Sequence, residues 1–205
     1  AVYHMREAQI FYNQEDKWAI PNELFGSEKQ PVEPYHVIMR LPGESKEEFM
    51  MMVPFTPALK DNMIAWMAAK SDMSDYGKLI VYKFPKDKLL YGPMQIEARI
   101  DQDPVISSQL SLWNQKGSSV IRGNLLVIPI EDSIMYVEPL DLKPEQSQIP
   151  ELKRVIVAYG ERIAMEQTLE ESLNVVFGGK PTPVSTTVQP VQPKQVGQSL
   201  RELAK

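Results

Sequence analysis

Two strongly apolar segments, SVIRGNLLVIPI (119–130) and IMYVEPL (134–140), are separated by only the three polar residues EDS. A crossover between parallel strands takes about a dozen residues or more, so the two segments are expected to pair antiparallel through a tight hairpin. A second hairpin is signalled upstream. In VEPYHVIMRL (32–41), Tyr35, Val37, Met39 and Leu41 share one face, and His36, Ile38 and Arg40 share the other. The polar connection PGESKEE then leads to a return strand, FMMMVPF (49–55). KLIVYKF (78–84) is almost continuously apolar and reads as a central strand, and LKRVIVAYGERIAM (152–165) as a strand or bent strand.

Helical signals are interspersed. Thr56-Pro57 offers a capping hydroxyl and a proline at a position that needs no N–H, and Leu59, Met63, Trp66 and Met67 then form one stripe, which predicts a helix over 57–70. A second helix is expected over 94–116, with a break at Asp103-Pro104. Thr168, with Glu171 three residues on, has capping-box spacing and predicts a helix over 168–177. The expected fold class is therefore α+β: a mixed, mostly antiparallel β-sheet covered by several helices.

The organisation follows from composition shifts. Residues 1–30 read as an N-terminal arm or short helix that docks through Phe11, Tyr12 and Trp18 and continues from an upstream region. Residues 31–178 carry the core-forming pattern; with 43% hydrophobic residues in a chain of 205, one sizeable core is affordable. Residues 179–195 are a Pro/Thr/Gln-rich linker, and 196–205 read as the start of a truncated C-terminal helix. No window approaches a membrane-spanning length of about 18 apolar residues, so this stretch is not expected to cross a bilayer itself.

Net charge is −5, and the basic residues are scattered, which leaves no footprint for nucleic acid or an anionic surface. The absence of cysteine excludes disulfides, thiolate catalysis and Cys-based zinc sites.

Three segments carry a resemblance: YHMREAQIFYNQEDKWAIPNE (3–23), EEFMMMVPFTPALKDNMIAWMAAKSD (47–72), and the long run from YGKLIVYKF through IEARIDQDPVISSQLSLWNQKGSSVIRGNLLVIPI to VEPLDL (76–142). They resemble the C-terminal soluble region of uncharacterised protein family 0182, large bacterial and cyanobacterial multi-pass membrane proteins. ELKRVIVAYGERIAMEQTLEESLNVVFG (151–178) fits the same pattern. The resemblance implies a parent protein in the cell membrane, with this fragment extracytoplasmic. The implied partners are the upstream transmembrane and ectodomain parts of the same protein, and an envelope partner. It implies no established activity and no cofactor.

The polar stretch ARIDQDPVISSQLSLWNQKGSSVIRGN (98–124) is the densest candidate for chemistry. Most of it has a structural assignment. Asp103 and Pro104 start a helix, Val105 or Ile106, then Leu110 and Trp113, lie on one side, and Gly117 suits a left-handed C-terminal position. Arg99, Asp101 and Arg122 remain. A guanidinium in an apolar strand needs a carboxylate, and Asp101 or Glu97 can supply it. The competing reading is a ligand pocket for a carboxylate or sugar, built from Arg122, Asn114, Asp101 and Trp113.

Other sites find little support. The two histidines, His4 and His36, lack metal-ligand spacing, so no metal site is assigned. Gly-x-Ser-x-Gly, Walker and Gly-x-Gly-x-x-Gly patterns are missing, and no catalytic residue is assigned. Met50, Met51 and Met52 imply a strand covered on both faces, with an adaptable docking surface as the alternative. The expected function is a structural or interaction module without catalysis of its own; the alternative is an enzyme or ligand-binding subdomain acting on envelope glycan or a lipid-linked substrate.

Overall fold

A computed structural model describes residues 8–14, 17–41, 44–85, 87–115, 117–130, 133–146 and 149–178. The expected linker at 179–195, the helix start at 196–205 and His4 lie outside the described residues.

The first sheet is an antiparallel meander. Strand β5 (Glu47–Pro57) is flanked on one side by β4 (Tyr35–Arg40) and by the short β1 (Trp18–Ala19), and on the other by β6 (Ala65–Lys70), which pairs with β7 (Leu79–Lys83). The hairpin expected from residues 32–55 is present. The helix expected over 57–70 is not. Thr56 and Pro57 end strand β5 opposite Ala19 and Trp18, and Ala65–Lys70 is a central strand. Proline without an N–H suits a strand end as well as a helix start. Pairing of β6 on both sides outweighs the local helical stripe, as tertiary context does for such weak local preferences. KLIVYKF forms the edge strand β7 rather than a central one, and Leu79 and Val81 are exposed.

The second sheet is organised on the long strand β10 (Ser133–Pro144). One side of β10 pairs with β9 (Leu126–Ile130) along its first half and with β8 (Ser118–Arg122) along its second; the other side pairs with β11 (Glu151–Tyr159), which turns at Gly160 into β12 (Arg162–Glu166). The stretch 119–130 is thus two strands. They break at Gly123, where a Cβ would sit 2.6 Å from the Pro139 ring, so backbone and ring can approach only at glycine.

Among the described residues four short helices accompany the strands. Helix α1 (Ala8–Tyr12) buries no residue, and Phe11 and Tyr12 are 42% and 77% exposed; Trp18 leans on Phe55, 5.7 Å between ring centroids. Helices α2 (Pro93–Gln102) and α3 (Pro104–Trp113) meet at the expected break. There Asp103 Oδ1 accepts from the Val105 and Ile106 amides at 2.9 and 3.0 Å. Helix α4 (Leu169–Phe177) starts in the expected capping box of Thr168 and Glu171. A separate hairpin, β2 (Asn22–Phe25) with β3 (Glu28–Pro31), reaches the second sheet through the Gly26 amide, which donates to the Arg122 carbonyl at 2.7 Å.

These elements overturn the α+β expectation. The described residues form three antiparallel sheets with four short helices, a mainly β architecture in which no helical layer covers the first sheet. The second sheet is buried on both faces. Ile134, Tyr136, Leu140, Ile156 and Ala158 pack with Ile96, Ile100 and Ile106 of α2 and α3. Met135, Val137, Val155 and Val157 pack with Val176 of α4. The first sheet buries one face, around Met50, Met52, Trp66 and Ala68. The two sheets are tied where the Tyr35 hydroxyl of β4 donates to the Val127 carbonyl of β9.

Candidate functional site

The chemistry-bearing side chains of the polar stretch converge where α2, β8, β10 and the β2–β3 hairpin meet. Arg122, the last residue of β8, is buried, and each of its three guanidinium nitrogens is engaged. Nε donates to Glu138 Oε1 at 2.6 Å and Nη2 to Glu138 Oε2 at 3.0 Å, a fork-to-fork pair. Nη1 donates to Asp101 Oδ1 at 2.7 Å, and Nη2 also donates to Glu97 Oε2. Glu97 and Asp101 lie four apart on α2, so helical geometry places both on the side facing the sheet. Glu138 points from β10 to the same face as Leu140 and Tyr136.

A fourth carboxylate lies alongside. Glu23 of β2 is fully buried; its Oε2 accepts from the Leu125 amide at 2.8 Å and its Oε1 from Gln30 at 3.3 Å. One cation thus sits among an excess of acids. Burial, reinforced by the charge of Glu138, pushes the Glu97 carboxyl up to about 8, although Arg122 pulls the other way. Burial also raises Glu138, against the hydrogen bonds from Arg122, and it raises Glu23. Glu97 is thus held toward its neutral form, and a backbone hydrogen bond from Leu24 opposes that shift as Arg122 does. For Arg122, burial opposes the charge, but the Glu138 hydrogen bonds and the surrounding carboxylates outweigh it and hold the guanidinium above its ordinary value.

The structure brings Arg122 and Asp101 together and places the other two candidates elsewhere. Asn114 is the C-terminal cap of α3, and its Oδ1 accepts from the Val120 amide at 3.3 Å. Trp113 is half-buried under the Arg154 guanidinium, 5.3 Å from its ring centroid, and its carbonyl accepts from the Ser118 hydroxyl at 2.6 Å. Both residues fasten the end of α3 to β8. The sequence reading named Glu97 but missed Glu138 and Glu23. A carboxylate in the middle of the apolar run IMYVEPL was the available signal for Glu138, of the same kind as the guanidinium in SVIRGN.

Two further polar features are built differently. The buried Lys70 ammonium at the end of β6 meets Glu48, Glu44 and Asp75 at 2.8, 3.2 and 3.6 Å, and so ties β4–β5 connection, strand and turn together. An open cleft of about 480 Å³ lies between the C-terminal ends of α2 and α4. Its two guanidiniums are bound to backbone: Arg99 donates to the Gly160 carbonyl at 2.7 Å and Arg162 to the Val176 carbonyl at 2.8 Å. Among the described residues no group of three His, Asp or Glu is placed to hold a metal ion.

Residues 1–113 match the model of an uncharacterised protein family, UPF0182. The chain belongs to this family. A UPF0182 protein of Pelotomaculum thermopropionicum is 56% identical over 207 residues, which cover the whole of this chain and 22% of the relative. The UPF0182 protein of Trichodesmium erythraeum is 62% identical over 176 residues, 86% of this chain and 19% of the relative. That of Nostoc is 55% identical over 190 residues, 93% of this chain and 19% of the relative. The chain thus spans about a fifth of the length of the UPF0182 relatives it matches. No solved structure is similar to it. No described helix is long and apolar enough to cross a membrane.

Proposed function

We propose that this region is a non-catalytic structural and interaction module on the extracytoplasmic side of a large multi-pass membrane protein. The observation that carries the module reading is the use made of Arg122. Its guanidinium is spent inside the fold on Glu138, Glu97 and Asp101, and its carbonyl holds the β2–β3 hairpin. The residue best suited to grip an anionic ligand is a clamp between four segments of the same chain. Asn114 and Trp113 serve the same end one helix away, by closing α3 onto β8.

Location and role are tested separately. Met73 is 95% exposed and the chain contains no cysteine, so Met73→Cys in an otherwise cysteine-free parent gives a defined labelling position. Labelling by a membrane-impermeant maleimide in intact cells is the expected result; labelling only after lysis overturns the extracytoplasmic placement. The role is tested by thermal unfolding of Arg122 variants. A clamp loses stability when Arg122 is replaced, whereas a binding residue held in a strained site gives equal or greater stability when removed.

A further inference from the structure

The two sheets differ in how they are finished. Every second residue of the first sheet faces away from its core, and the strand register shows which residues stand together there. Ile38 pairs with Phe49; His36, Met51, Ala69 and Leu79 form one row across four strands; Val53, Met67 and Val81 form the next. Phe55, Ala65 and Lys83 follow, with Trp18 leaning on Phe55. Val53 and Ala65, 8% and 0% exposed, are already covered toward the β1 end, and the open apolar part of this face lies around Ile38, Phe49, Met51, Leu79 and Val81. Ile38 is 74% exposed, Leu79 65%, Val81 47%, Phe49 40%, Met51 38% and Trp18 37%. An antiparallel sheet that ends at water alternates apolar inside with polar outside; β5 does not, because FMMMVPF supplies both faces with apolar side chains. A sheet with two apolar faces is an inner layer. A contiguous patch of this kind marks a contact surface, unlike scattered single hydrophobes.

We infer that the outer face of the β4–β5–β6–β7 sheet is the docking surface for another layer of the same polypeptide, an apolar helix or sheet face contributed by the part of the parent protein that lies outside this region. Two observations select that occupant. The relatives carry about four-fifths of their length outside the stretch matched here, so most of the parent is available to supply the missing layer. At the rim of the face Arg40 stands opposite Glu47 in register, and the Lys83 ammonium lies over the Trp18 ring at 5.6 Å. These two cations, each beside a carboxylate or an aromatic ring, do not make a basic rim of the sort that holds a protein against an anionic bilayer. The second sheet needs no such layer, because α2 and α3 cover one face and α4 the other.

The inference rests on the reading of this region as a module of a larger protein, but its test does not depend on Arg122 or on membrane sidedness. A photo-cross-linking phenylalanine analogue is placed at Ile38 or Leu79 of the full-length parent, in cell membranes, with Glu170 on the exposed first turn of α4 as control. After irradiation, peptide mass spectrometry is expected to find cross-links from 38 and 79 to residues of the same polypeptide outside this region, with no change in mass on a denaturing gel and none from 170. Attachment to lipid, a band at twice the parent mass, attachment to a different protein, or no cross-link at either position overturns the inference. In each of those cases the clamp at Arg122 and the labelling at position 73 stand or fall on their own measurements.

Discussion

Replacing Arg122 by methionine keeps most of the apolar stem and deletes the charge. Asp101 is half-exposed and returns to water, so its lost pairing contributes little. Burial and the charge of Glu138 hold Glu97 toward its neutral form, so it has less charge to leave uncompensated. The cost therefore falls on Glu138, which is fully buried and loses both of its guanidinium hydrogen bonds. An uncompensated buried carboxylate costs about 3–5 kcal/mol. Glu138 can escape part of that cost by taking up a proton, which sets a ceiling. Holding an acid neutral at about pH 7 when its unfolded value is near 4.5 costs about 1.4 kcal/mol for each of roughly 2.5 pH units, or about 3.4 kcal/mol. The same ceiling falls to about 1.4 kcal/mol at about pH 5.5.

At roughly 2–4 °C per kcal/mol for a domain of this size, Arg122→Met should lower Tm by about 7–14 °C near neutral pH and by less than half of that at about pH 5.5. The assay is circular-dichroism melting of the chain at both pH values, with urea titration to check that the m-value is unchanged. Adding Glu138→Gln to Arg122→Met should recover part of the loss at neutral pH, because an amide needs no counter-charge. Arg122→Lys should fall between, since an ammonium keeps the charge but not the fork. A loss below about 2 °C near neutral pH, or a penalty that grows as the solution is acidified, refutes the clamp.

The unmodified chain should itself respond to pH in an unusual direction. Glu97 has a folded-state value near 8, above its unfolded value near 4.5, and Glu138 and Glu23 shift the same way. The folded state then binds more protons than the unfolded one in this window, so stability is greatest toward about pH 5 and falls as the pH rises to about 8. Melting temperatures that rise or stay level over that range would contradict the buried proton. Gly92→Ala should be strongly destabilising although its backbone angles suit any residue, because a Cβ there would meet the Asp61 carbonyl oxygen at 1.7 Å; a cost of about 3 kcal/mol or more is expected in denaturant titration. Thr168→Ala removes the reciprocal cap of α4 and should cost about 1 kcal/mol, read as a Tm lower by about 2–4 °C.

What the sequence disclosed was set by the range of the interaction behind each feature. Caps act within one turn, and so Asp103-Pro104 and Thr168 with Glu171 marked helix starts that the structure contains. Hairpins with short connections were equally visible, as at β4–β5 and β9–β10. The helix drawn through 57–70 failed because the residues that decide it lie elsewhere: β6 is a strand through pairing with β5 and β7, and its own apolar spacing fits a helix as well. The break at Gly123 depends on the Pro139 ring, 16 positions on, and could not be read locally. At the candidate site, Arg122 was visible as a charge in an apolar strand, and Glu97 and Asp101 as helical neighbours of the right sign. Their joint contact with Glu138 required knowing that β8 pairs with the second half of β10.

The triple methionine shows how a sequence can be right about a face and silent about its cover. Consecutive strand residues point to opposite sides, so Met50, Met51 and Met52 imply two apolar environments. The structure supplies one: Met50 and Met52 are buried, and Met51 stands on the open side. An apolar surface that is buried in a larger assembly contributes stability there that an isolated piece lacks, in the same sense that any partner binding only the folded state raises its stability. The second sheet is closed on both sides and clamped by Arg122. The first sheet leaves Ile38, Phe49, Met51, Leu79 and Val81 exposed on its outer side. Unfolding of the isolated chain should therefore begin in the β4–β7 sheet, where hydrogen exchange of the Ile38, Phe49 and Val81 amides should outrun that of Val137 and Val157 at the centre of the second sheet. In the intact parent the covering layer should slow the first group selectively and leave the second unchanged.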